Sequence, residues 1–294
     1  MRLVTFTQDG NTRIGALKGD AIIDFSAVAP GLPTDMLSFL QAGPDAMKKA
    51  SDIAETEQGT IAVSEVTLES PIQNPPKILA VGMNYMDHFN EVKDVFKLEL
   101  PKTPVIFNKQ TSSVNRPYGD VYLPSESEQL DYEGELAIVI GKRCRRVSKE
   151  NAMDVVAGFT ICNDFTIRDW QMQAPTMTMG KSWDSHCPLG PTLVTPDEVD
   201  HANLNFKTLV NGEERQSSNT EQLILDCPAI LEYLSTAFTL EPGDVIATGT
   251  SSGVVMFMPG QPWLKEGDVV RVEFDGLGFV ENKVVKDPTG SFTG

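Results

Sequence analysis

Three carboxylates lie at the ends of two apolar segments of the sequence. Glu133 and Glu135 directly precede the apolar segment 137–140, and Asp164 follows a second apolar run at 155–162. Because residues two apart in a strand point to the same face, we expect Glu133 and Glu135 to project side by side. Such a pair repels unless a cation or a shared proton lies between the two groups. Three hard oxygen ligands suit Mg²⁺ or Mn²⁺ better than zinc, although Glu133 and Glu135 alone also fit a solvated edge strand.

A histidine and a glutamate stand three residues apart, directly after another predicted strand. The apolar run 77–82 predicts that strand, and 83–92 predicts the helix that follows it. On a helix, His88 and Glu91 would share one face, where the carboxylate can orient the imidazole and raise its basicity. This arrangement is typical of a general base, and the alternative is an incidental pair on a surface helix.

Two polar side chains follow Asp164 at helical spacing. Arg168 and Gln171 come four and seven residues after it, so a helical turn would place them on the face of the acid. Arg168 can then hold a substrate carboxylate through two parallel hydrogen bonds. The alternative is an ion pair between Arg168 and Asp169 or another surface acid, which is common in an acidic protein.

Two lysines and a loop of small residues supply further candidates for binding an anion. Near a metal and carboxylates, Lys181 in the segment 180–184 can stabilise a developing oxyanion, and Lys109 in a polar turn can reach a ligand. For both lysines the sequence alone favours a solvated surface position. The loop 247–253 can bind a carboxylate through its backbone N–H groups and the Thr250 hydroxyl.

The composition of the 294-residue chain is that of an ordinary globular protein, with 40% apolar and 22% charged residues. The formal net charge of −17 argues against nucleic acid or an anionic membrane as a partner, because both bind basic surfaces. The four cysteines are scattered, which predicts neither a zinc site nor a disulfide framework. Signal-peptide and membrane-spanning patterns are not found, so we expect a cytoplasmic protein.

Prolines between residues 71 and 76 divide the sequence into two predicted domains. Residues 1–70 alternate or cluster apolar residues around turn signals, which predicts a small β-meander followed by short helices. Residues 71–294 carry all the candidate residues above and form the predicted catalytic domain. Its last third is rich in strand patterns, with a hairpin turn at Asn211-Gly212 and a helix over 227–240. The predicted fold class is therefore α+β and mostly β.

Five sequence blocks, taken in this order and spacing, resemble those of the fumarylacetoacetate hydrolase family. They extend roughly from residue 77 to residue 285, and the N-terminal module resembles that of the shorter, bacterial-type members. The blocks are Asn84-Tyr85-x-x-His88-x-x-Glu91; Asp131-Tyr132-Glu133-Gly134-Glu135-Leu136; Asn163-Asp164 through Arg168-Asp169-Trp170-Gln171; Gly180-Lys181 through Cys187-Pro188-Leu189-Gly190-Pro191; and Glu241-Pro242-Gly243-Asp244-Val245-Ile246-Ala247-Thr248-Gly249-Thr250.

The resemblance implies a mixed β-roll catalytic domain, a homodimer and one divalent Mg²⁺ or Mn²⁺ ion per subunit. It implies that Glu133, Glu135 and Asp164 bind this ion. It also implies that His88 and Glu91 activate water from a lid that orders over bound substrate. Other matching positions would contact the substrate or stabilise its oxyanion, and these are Lys181, Arg168, Gln171, Tyr85, Gly249 and Thr250.

The activity that the resemblance implies is hydrolysis of a carbon–carbon bond in a 2,4-dioxo acid, an acylpyruvate, which releases pyruvate and a carboxylic acid. Two alternatives use the same metal-held enolate, namely decarboxylation of oxaloacetate and isomerisation or tautomerisation of a hydroxydienedioate. A binding or scaffold protein without activity is a further alternative, which the intact candidate residues argue against.

The sequence departs from the family pattern at three places around the expected pocket, one of which is Gln110, where proline is common after Lys109. The loop Ser251-Ser252-Gly253-Val254-Val255 stands where the family often has Pro-x-Gly-Val-Gly. His186 stands where an aromatic residue is usual, and we interpret it as a packed structural residue in preference to an extra acid or ligand.

Overall fold

The computed structural model of the protein describes residues 1–97, 99–100, 103–288 and 290. The end of the predicted catalytic domain, 291–294, lies outside these residues. The described strands are β1 (Arg2–Gln8), β2 (Asn11–Lys18), β3 (Ala21–Asp24), β4 (Ile61–Ala62), β5 (Thr67–Glu69), β6 (Ile78–Gly82), β7 (Val105–Lys109), β8 (Val114–Asn115), β9 (Val121–Leu123), β10 (Leu130–Asp131), β11 (Gly134–Ile140), β12 (Val156–Asn163), β13 (Thr166–Ile167), β14 (Cys187–Val194), β15 (Asn205–Val210), β16 (Glu213–Asn219), β17 (Val245–Ala247), β18 (Val269–Phe274) and β19 (Gly278–Lys286). The described α-helices are α1 (Phe25–Val28), α2 (Met36–Gln41), α3 (Pro44–Thr56), α4 (Met86–Phe96), α5 (Arg168–Gln171), α6 (Thr178–Lys181) and α7 (Cys227–Ala237).

The N-terminal strands belong to the same sheet as the strands of the predicted catalytic domain. The predicted β-meander is confirmed, since β1 pairs antiparallel with β2, and β2 with β3. On its other side β1 pairs with β14, where Leu3 lies opposite Leu193. Among the described residues the sheet order is β4-β3-β2-β1-β14-β12-β11-β17-β6-β7, with β5 beside β1 and β8 beside β14. The boundary predicted at residue 70 therefore separates two segments that share one sheet.

Strand β11 lies in the middle of this sheet and is buried along its whole length. Its apolar residues alternate between two core clusters, as the side-chain period of a strand requires. It pairs antiparallel with β12, and Gly134 lies opposite Asn163. This register brings the beginning of β11 next to the end of β12. The acidic residues that flank these ends, Glu133 and Asp164, are therefore neighbours in space although 31 positions separate their numbers.

A second sheet, in the order β16-β15-β18-β19-β9, packs against the main one. The predicted hairpin is confirmed: β15 and β16 are joined at Asn211 and Gly212, both with positive φ angles, 53° and 82°. The two sheets approach closely at Gly134, where an added Cβ would lie 2.5 Å from the Thr208 hydroxyl oxygen. Glycine at this position lets the beginning of β11 sit directly against β15.

Helix α4 begins after β6 and carries the predicted histidine–glutamate pair. The Asn84 side chain before it donates to the carbonyl groups of Leu225 and Thr248, at 3.0 and 2.8 Å. The Leu225 N–H donates back to the side-chain oxygen Oδ1 of Asn84 at 2.9 Å. Since β6 and β17 are parallel, these bonds fix the beginning of α4 at the edge where both strands end.

The predicted helix over 227–240 is confirmed as α7, which ends at Ala237. Asp226 caps its beginning by accepting the N–H of Ala229, and Pro228 occupies the first turn, where a missing N–H costs nothing. None of the described helices is long and apolar enough to span a membrane.

Candidate active site

Three buried carboxylates meet where β11 begins and β12 ends. Glu133, Glu135 and Asp164 can each offer one oxygen so that the three atoms lie within 4.8 Å of one another. The backbone sets this spacing, because the Asp164 N–H donates to the Glu133 carbonyl oxygen at 2.8 Å. The alternative of a solvated edge strand is wrong, because β11 has β12 on one side and β17 on the other.

Two buried lysines bind these carboxylates. Lys181 Nζ lies 2.7 Å from both Glu133 Oε2 and Asp164 Oδ2, and Lys109 Nζ lies 2.6 Å from Asp164 Oδ1. Lys109 also donates to the Lys181 carbonyl oxygen, which ties the two lysine segments together. The interpretation of both residues as surface lysines is wrong. Each is buried because a carboxylate far away in the sequence balances its charge.

Arg168, the first residue of α5, joins the cluster through Glu133. Its Nη1 lies 2.7 Å from Glu133 Oε1, and its Nε and Nη2 both lie 2.8 Å from Asp131 Oδ2. The same Nη1 donates to Gln171 Oε1 at 3.0 Å, so the predicted helical turn brings Arg168 and Gln171 together. The alternative of a surface ion pair with Asp169 is wrong, because the acids that bind Arg168 are buried.

The surrounding cations act differently on the carboxylates. Burial would raise the pKa of Glu133, but the charges of Lys181 and Arg168 outweigh burial and lower that pKa to about 2. Burial raises the pKa of Glu135 well above its usual range, and Asp164 and Glu133 raise it further. The pKa of Lys181 is raised overall, because Asp164 and Glu133 outweigh the effect of burial.

Within the described part of the chain, Glu135 is the carboxylate of this cluster that has no ion-pair partner. It accepts the Gly249 N–H at 2.7 Å, and two like charges lie beside it. A buried carboxylate in such surroundings is stabilised by an added cation. Hard carboxylate oxygens are the ligands that Mg²⁺ and Mn²⁺ prefer, so the donor set fits the predicted ion. The assignment of all three residues as its ligands stays a prediction.

His88 and Glu91 lie together on α4 at the edge of the cluster. His88 Nδ1 is 3.0 Å from Glu91 Oε2, as the spacing of three predicts. The histidine is buried, and its ring lies 5.6 Å from that of Phe257. It is near enough to help lower the pKa of Glu133, although Lys181 and Arg168 have larger effects in the same direction. With Nδ1 held by Glu91, Nε2 is the nitrogen that can exchange a proton. Because the histidine is buried, the alternative of an incidental pair on a surface helix is wrong.

The predicted binding loop contacts the acidic cluster mainly through its backbone. The N–H of Gly249 donates to Glu135, and its φ of +101° belongs to the left-handed region. The Thr250 hydroxyl donates to the Gly134 carbonyl at 2.9 Å and accepts from Gln216 Nε2 at 2.8 Å. Both residues therefore brace the beginning of β11, and their contact with substrate stays a prediction.

Tyr85 lies in the core beneath α4. It is fully buried, with its ring edge-on to Phe206 at 5.7 Å between centroids. Burial, and then the nearby charge of Glu135, raises its pKa. Its hydroxyl has no hydrogen-bond partner among the residues described. The predicted role of Tyr85 in substrate binding also stays a prediction.

Residues 77–285 match the family described as fumarylacetoacetate hydrolase C-terminal. The chain belongs to the fumarylacetoacetate hydrolase family. A relative from Xenopus laevis, named as mitochondrial oxaloacetate tautomerase fahd2, is 42% identical over 292 residues, which is 97% of this chain and 90% of the relative.

Solved structures of the family confirm the fold. A structure from Mycobacterium smegmatis has a TM-score of 0.85 and 34% identity, and the match covers 97% of this chain and 99% of that one. Maleylpyruvate hydrolase from Sphingobium sp. SYK-6, solved with manganese(II) and pyruvate, has a TM-score of 0.80 and 32% identity over 97% of this chain and 99% of its own. The predicted family and the α+β, mostly β, fold class are thereby confirmed.

Sequence reasoning missed two polar residues of this family member. Asp131, which ends β10 and binds Arg168, stands two positions before Glu133, and this spacing, the same as that between Glu133 and Glu135, was a usable signal. Gln216 accepts the N–H of Gly134 at 3.1 Å and donates to Thr250 at 2.8 Å. No local pattern marks Gln216, because its position depends on how the β15–β16 hairpin packs on β11.

The interpretation of His186 as a packed structural residue is confirmed. Its side chain is fully buried, and Nε2 donates to the Tyr122 carbonyl at 2.7 Å. Burial lowers its pKa to about 3, although the bond to Tyr122 acts in the opposite direction. The ring is therefore neutral over the physiological pH range.

Proposed function

We propose that this family member catalyses keto–enol tautomerisation of a short 2-oxo dicarboxylic acid, with oxaloacetate as the first substrate to test. One observation carries the proposal: an oriented histidine beside the acidic cluster, in a chain 42% identical over 97% of its length to an oxaloacetate tautomerase. Tautomerisation needs only the transfer of a proton between carbon and oxygen, and one histidine can carry it in either direction.

The local charges suit a substrate with two carboxylates. The formal net charge of −17 repels an anion at long range, so attraction must come from cations inside the site. Arg168, Lys109 and Lys181 bring three positive charges there, which together with a bound divalent ion would outweigh the four carboxylates around them. We assign Arg168, with Gln171 beside it, as the group that binds a substrate carboxylate. Because Asp131 occupies Nε and Nη2, the nitrogen assigned to the substrate is Nη1, on the side of Glu133 and Gln171.

Glu133, Glu135 and Asp164 would hold Mg²⁺ or Mn²⁺, which when bound would stabilise negative charge on the 2-oxo group as a Lewis acid. The chain's own residues supply the proton transfer. In the keto-to-enol direction His88 Nε2 takes the proton from the carbon next to the 2-oxo group and delivers it to the oxygen, and the reverse transfers convert the enol to the keto form. Glu91 holds Nδ1 throughout and stabilises the charged imidazolium between the two transfers.

A second candidate is hydrolysis of a carbon–carbon bond in a 2,4-dioxo acid, with release of pyruvate and a carboxylic acid. The observation that favours it is the likeness to maleylpyruvate hydrolase, whose structure contains manganese and pyruvate. In this reaction the His88–Glu91 pair would activate water instead of moving a substrate proton. The identity of 32% to that hydrolase is below the 42% to the tautomerase, so hydrolysis ranks second.

The test measures two signals, with the protein loaded with Mg²⁺ or Mn²⁺. Loss of the ultraviolet absorbance of enol-oxaloacetate measures tautomerisation, and pyruvate release measures hydrolysis of acetylpyruvate or maleylpyruvate and decarboxylation of oxaloacetate. We expect rapid loss of the enol, and His88→Ala should slow it by about 100-fold or more, as for loss of a general base. Asn90→Ala, on the exposed side of the same helix, is the matched control and should retain the rate.

The outcomes separate the candidates. Enol loss that depends on His88 and occurs without pyruvate release supports the tautomerase. Pyruvate release from a 2,4-dioxo acid without enol turnover favours hydrolysis. Pyruvate release from oxaloacetate that survives His88→Ala indicates a decarboxylase and contradicts the proposal.

We retain the homodimer as a proposal, together with a small anionic 2-oxo acid as the partner and no nucleic acid or membrane. The acidic charge supports the exclusion of polyanionic partners. The cytoplasmic location stays a prediction. The name of the Xenopus relative does not support it, because that name places the relative in mitochondria.

A further inference from the structure

Helix α4 is attached to its surroundings by one carboxylate that the proposed reaction does not use. Asp87 Oδ2 accepts the hydroxyl proton of Ser218, on β16, at 2.6 Å. Asp87 Oδ1 accepts the N–H of His88 at 2.6 Å and faces the N–H of Ser252 at 3.4 Å. Asp87, itself a residue of α4, therefore joins this helix to the neighbouring strand β16 and to the loop 251–257.

A second contact joins this loop to the glutamate that orients His88. The Gly253 N–H faces Glu91 Oε1 at 3.3 Å, whereas Oε2 of the same carboxylate is bonded to the histidine. Gly253 has a φ of +96°, and an added Cβ would lie 2.1 Å from the Arg215 carbonyl oxygen. Strand β16 thus fixes the loop backbone at the point where it meets Glu91, and only glycine fits there.

These contacts differ in strength. The bond between Ser218 and Asp87 is short and joins a hydroxyl to a carboxylate, whereas the two contacts to the loop backbone are long for hydrogen bonds. Asp87 also lies in the first turn of α4, where free N–H groups favour negative charge and Tyr85 provides no side-chain cap. The Ser218 hydroxyl is therefore the group whose removal weakens the attachment while leaving the helix sequence unchanged.

We propose that Asp87 is a positioning residue that, through Ser218 and the Ser252 N–H, holds α4 so that His88 faces the carboxylate cluster. Asn84 holds only the backbone before the helix, whereas Asp87 lies on the first turn, which also carries His88, so loss of the Asp87 contacts lets that turn shift. The fraction of molecules with His88 in place then sets kcat, while Arg168 still binds the substrate. The effect on kcat rests on the proposed function, whereas the attachment of α4 does not.

Hydrogen–deuterium exchange of peptides from 86–96 tests the attachment without any substrate. We expect Ser218→Ala to accelerate exchange there by about 3- to 10-fold, the ratio for one hydrogen bond of ordinary net strength. Peptides from β11 and β12 should be unchanged. Ser218→Thr keeps a hydroxyl and should restore slow exchange, and Ser217→Ala, at an exposed neighbouring position, is the matched control. Asp87→Ala should show the largest acceleration. If Asp87→Ala fails to fold, Ser218→Ala serves as the test.

Enol turnover then tests the positioning role. For Ser218→Ala we expect kcat to fall by a ratio similar to the increase in exchange, with KM close to wild type and recovery in Ser218→Thr. Exchange at the wild-type rate in Ser218→Ala would show that Asp87 does not hold the helix. Faster exchange with unchanged kcat would make Asp87 a helix-stabilising residue only and would overturn the positioning role. If the wild-type protein lacks tautomerase activity, the proposed function fails, and the exchange result still decides the attachment.

Discussion

Asp131 connects Arg168 to the loop that faces α4. Its Oδ2 accepts from Arg168 Nε at 2.8 Å and from the Met256 N–H at 3.0 Å. Its Oδ1 accepts the N–H groups of Tyr132 and Val255, at 2.8 and 2.9 Å. Burial would lower the pKa of Arg168, but Asp131 and then Glu133 raise it overall, so the guanidinium stays charged. These bonds fix the direction of Arg168 before any substrate binds.

We predict that Asp131→Asn lowers both stability and substrate binding. Asparagine keeps the shape but removes the charge, which leaves Arg168 buried with one acid fewer. Loss of one partner of a buried ion pair costs about 3 kcal/mol of unfolding free energy. Urea unfolding measures this cost, and KM for the enol substrate should rise because Arg168 is no longer held. Glu128→Gln, at an exposed acid nearby, is the control, and equal stability of both variants would show that Asp131 does not balance Arg168.

The buried His186 predicts a loss of stability in mild acid. Its pKa is about 3 in the folded protein and about 6.5 in the unfolded chain. Between these values the unfolded state binds the extra proton, so the unfolding free energy falls as the pH decreases below 6.5. From pH 7.5 to 5.0 this single group should remove about 2 kcal/mol.

Urea unfolding of wild type and His186→Phe at the two pH values checks this prediction. Phenylalanine cannot titrate, so the variant should lose about 2 kcal/mol less than wild type over this interval, although its stability at pH 7.5 is lower because the bond to Tyr122 is gone. Equal losses in the two proteins would mean that His186 becomes charged within the fold.

At the scale of elements, the sequence predicted the strands and helices better than the surroundings of the charged residues. Alternation and turn residues located the N-terminal meander, β11 and the 211–212 hairpin, because these signals are local. Lys109 and Lys181 were misplaced on the surface, since their burial depends on Asp164, which is distant in sequence. The positions of β7, which ends at Lys109, and of α6, which ends at Lys181, relative to the end of β12 decide these contacts, and no local pattern encodes them.

The basic run 143–146 has an element-level role that its sequence did not reveal. Arg145 Nη1 donates to the carbonyls of Ser235 and Thr236, and Nη2 to that of Ala237, at the end of α7. A cation there satisfies free carbonyl groups and interacts favourably with the helix dipole.

We therefore predict that Arg145→Ala lowers the unfolding free energy by about 1 kcal/mol, the net value of such bonds. Arg143→Ala is the matched control. Arg143 is exposed and pairs only with Glu241 among the described residues, so its loss should cost less than about 0.5 kcal/mol. Thermal unfolding of both variants measures the difference, and equal midpoints would contradict the capping role of Arg145.

At the scale of the whole molecule, a strongly acidic protein contains a locally balanced site. Three of its cations are buried against four carboxylates, namely Asp131, Glu133, Glu135 and Asp164. This count leaves one negative charge in excess when all seven groups are ionised. A bound divalent cation would reverse the local sign to one positive charge, and the site would then attract the proposed dicarboxylate substrate, which the net charge of −17 repels at a distance.

Binding of Mn²⁺ should therefore stabilise the fold as a whole, because the three carboxylates lie in or directly beside β11 and β12 at the centre of the main sheet. At 100 times the dissociation constant the gain is about 2.7 kcal/mol. For a chain of this size we expect the thermal midpoint to rise by about 5 °C, and EDTA should reverse the rise. Glu135→Gln should keep the fold, since it removes a like charge from beside Glu133 and Asp164, but should lose most of the shift. Glu221→Gln, at an exposed acid, should retain the full shift, and an equal shift in both variants would remove Glu135 from the metal site.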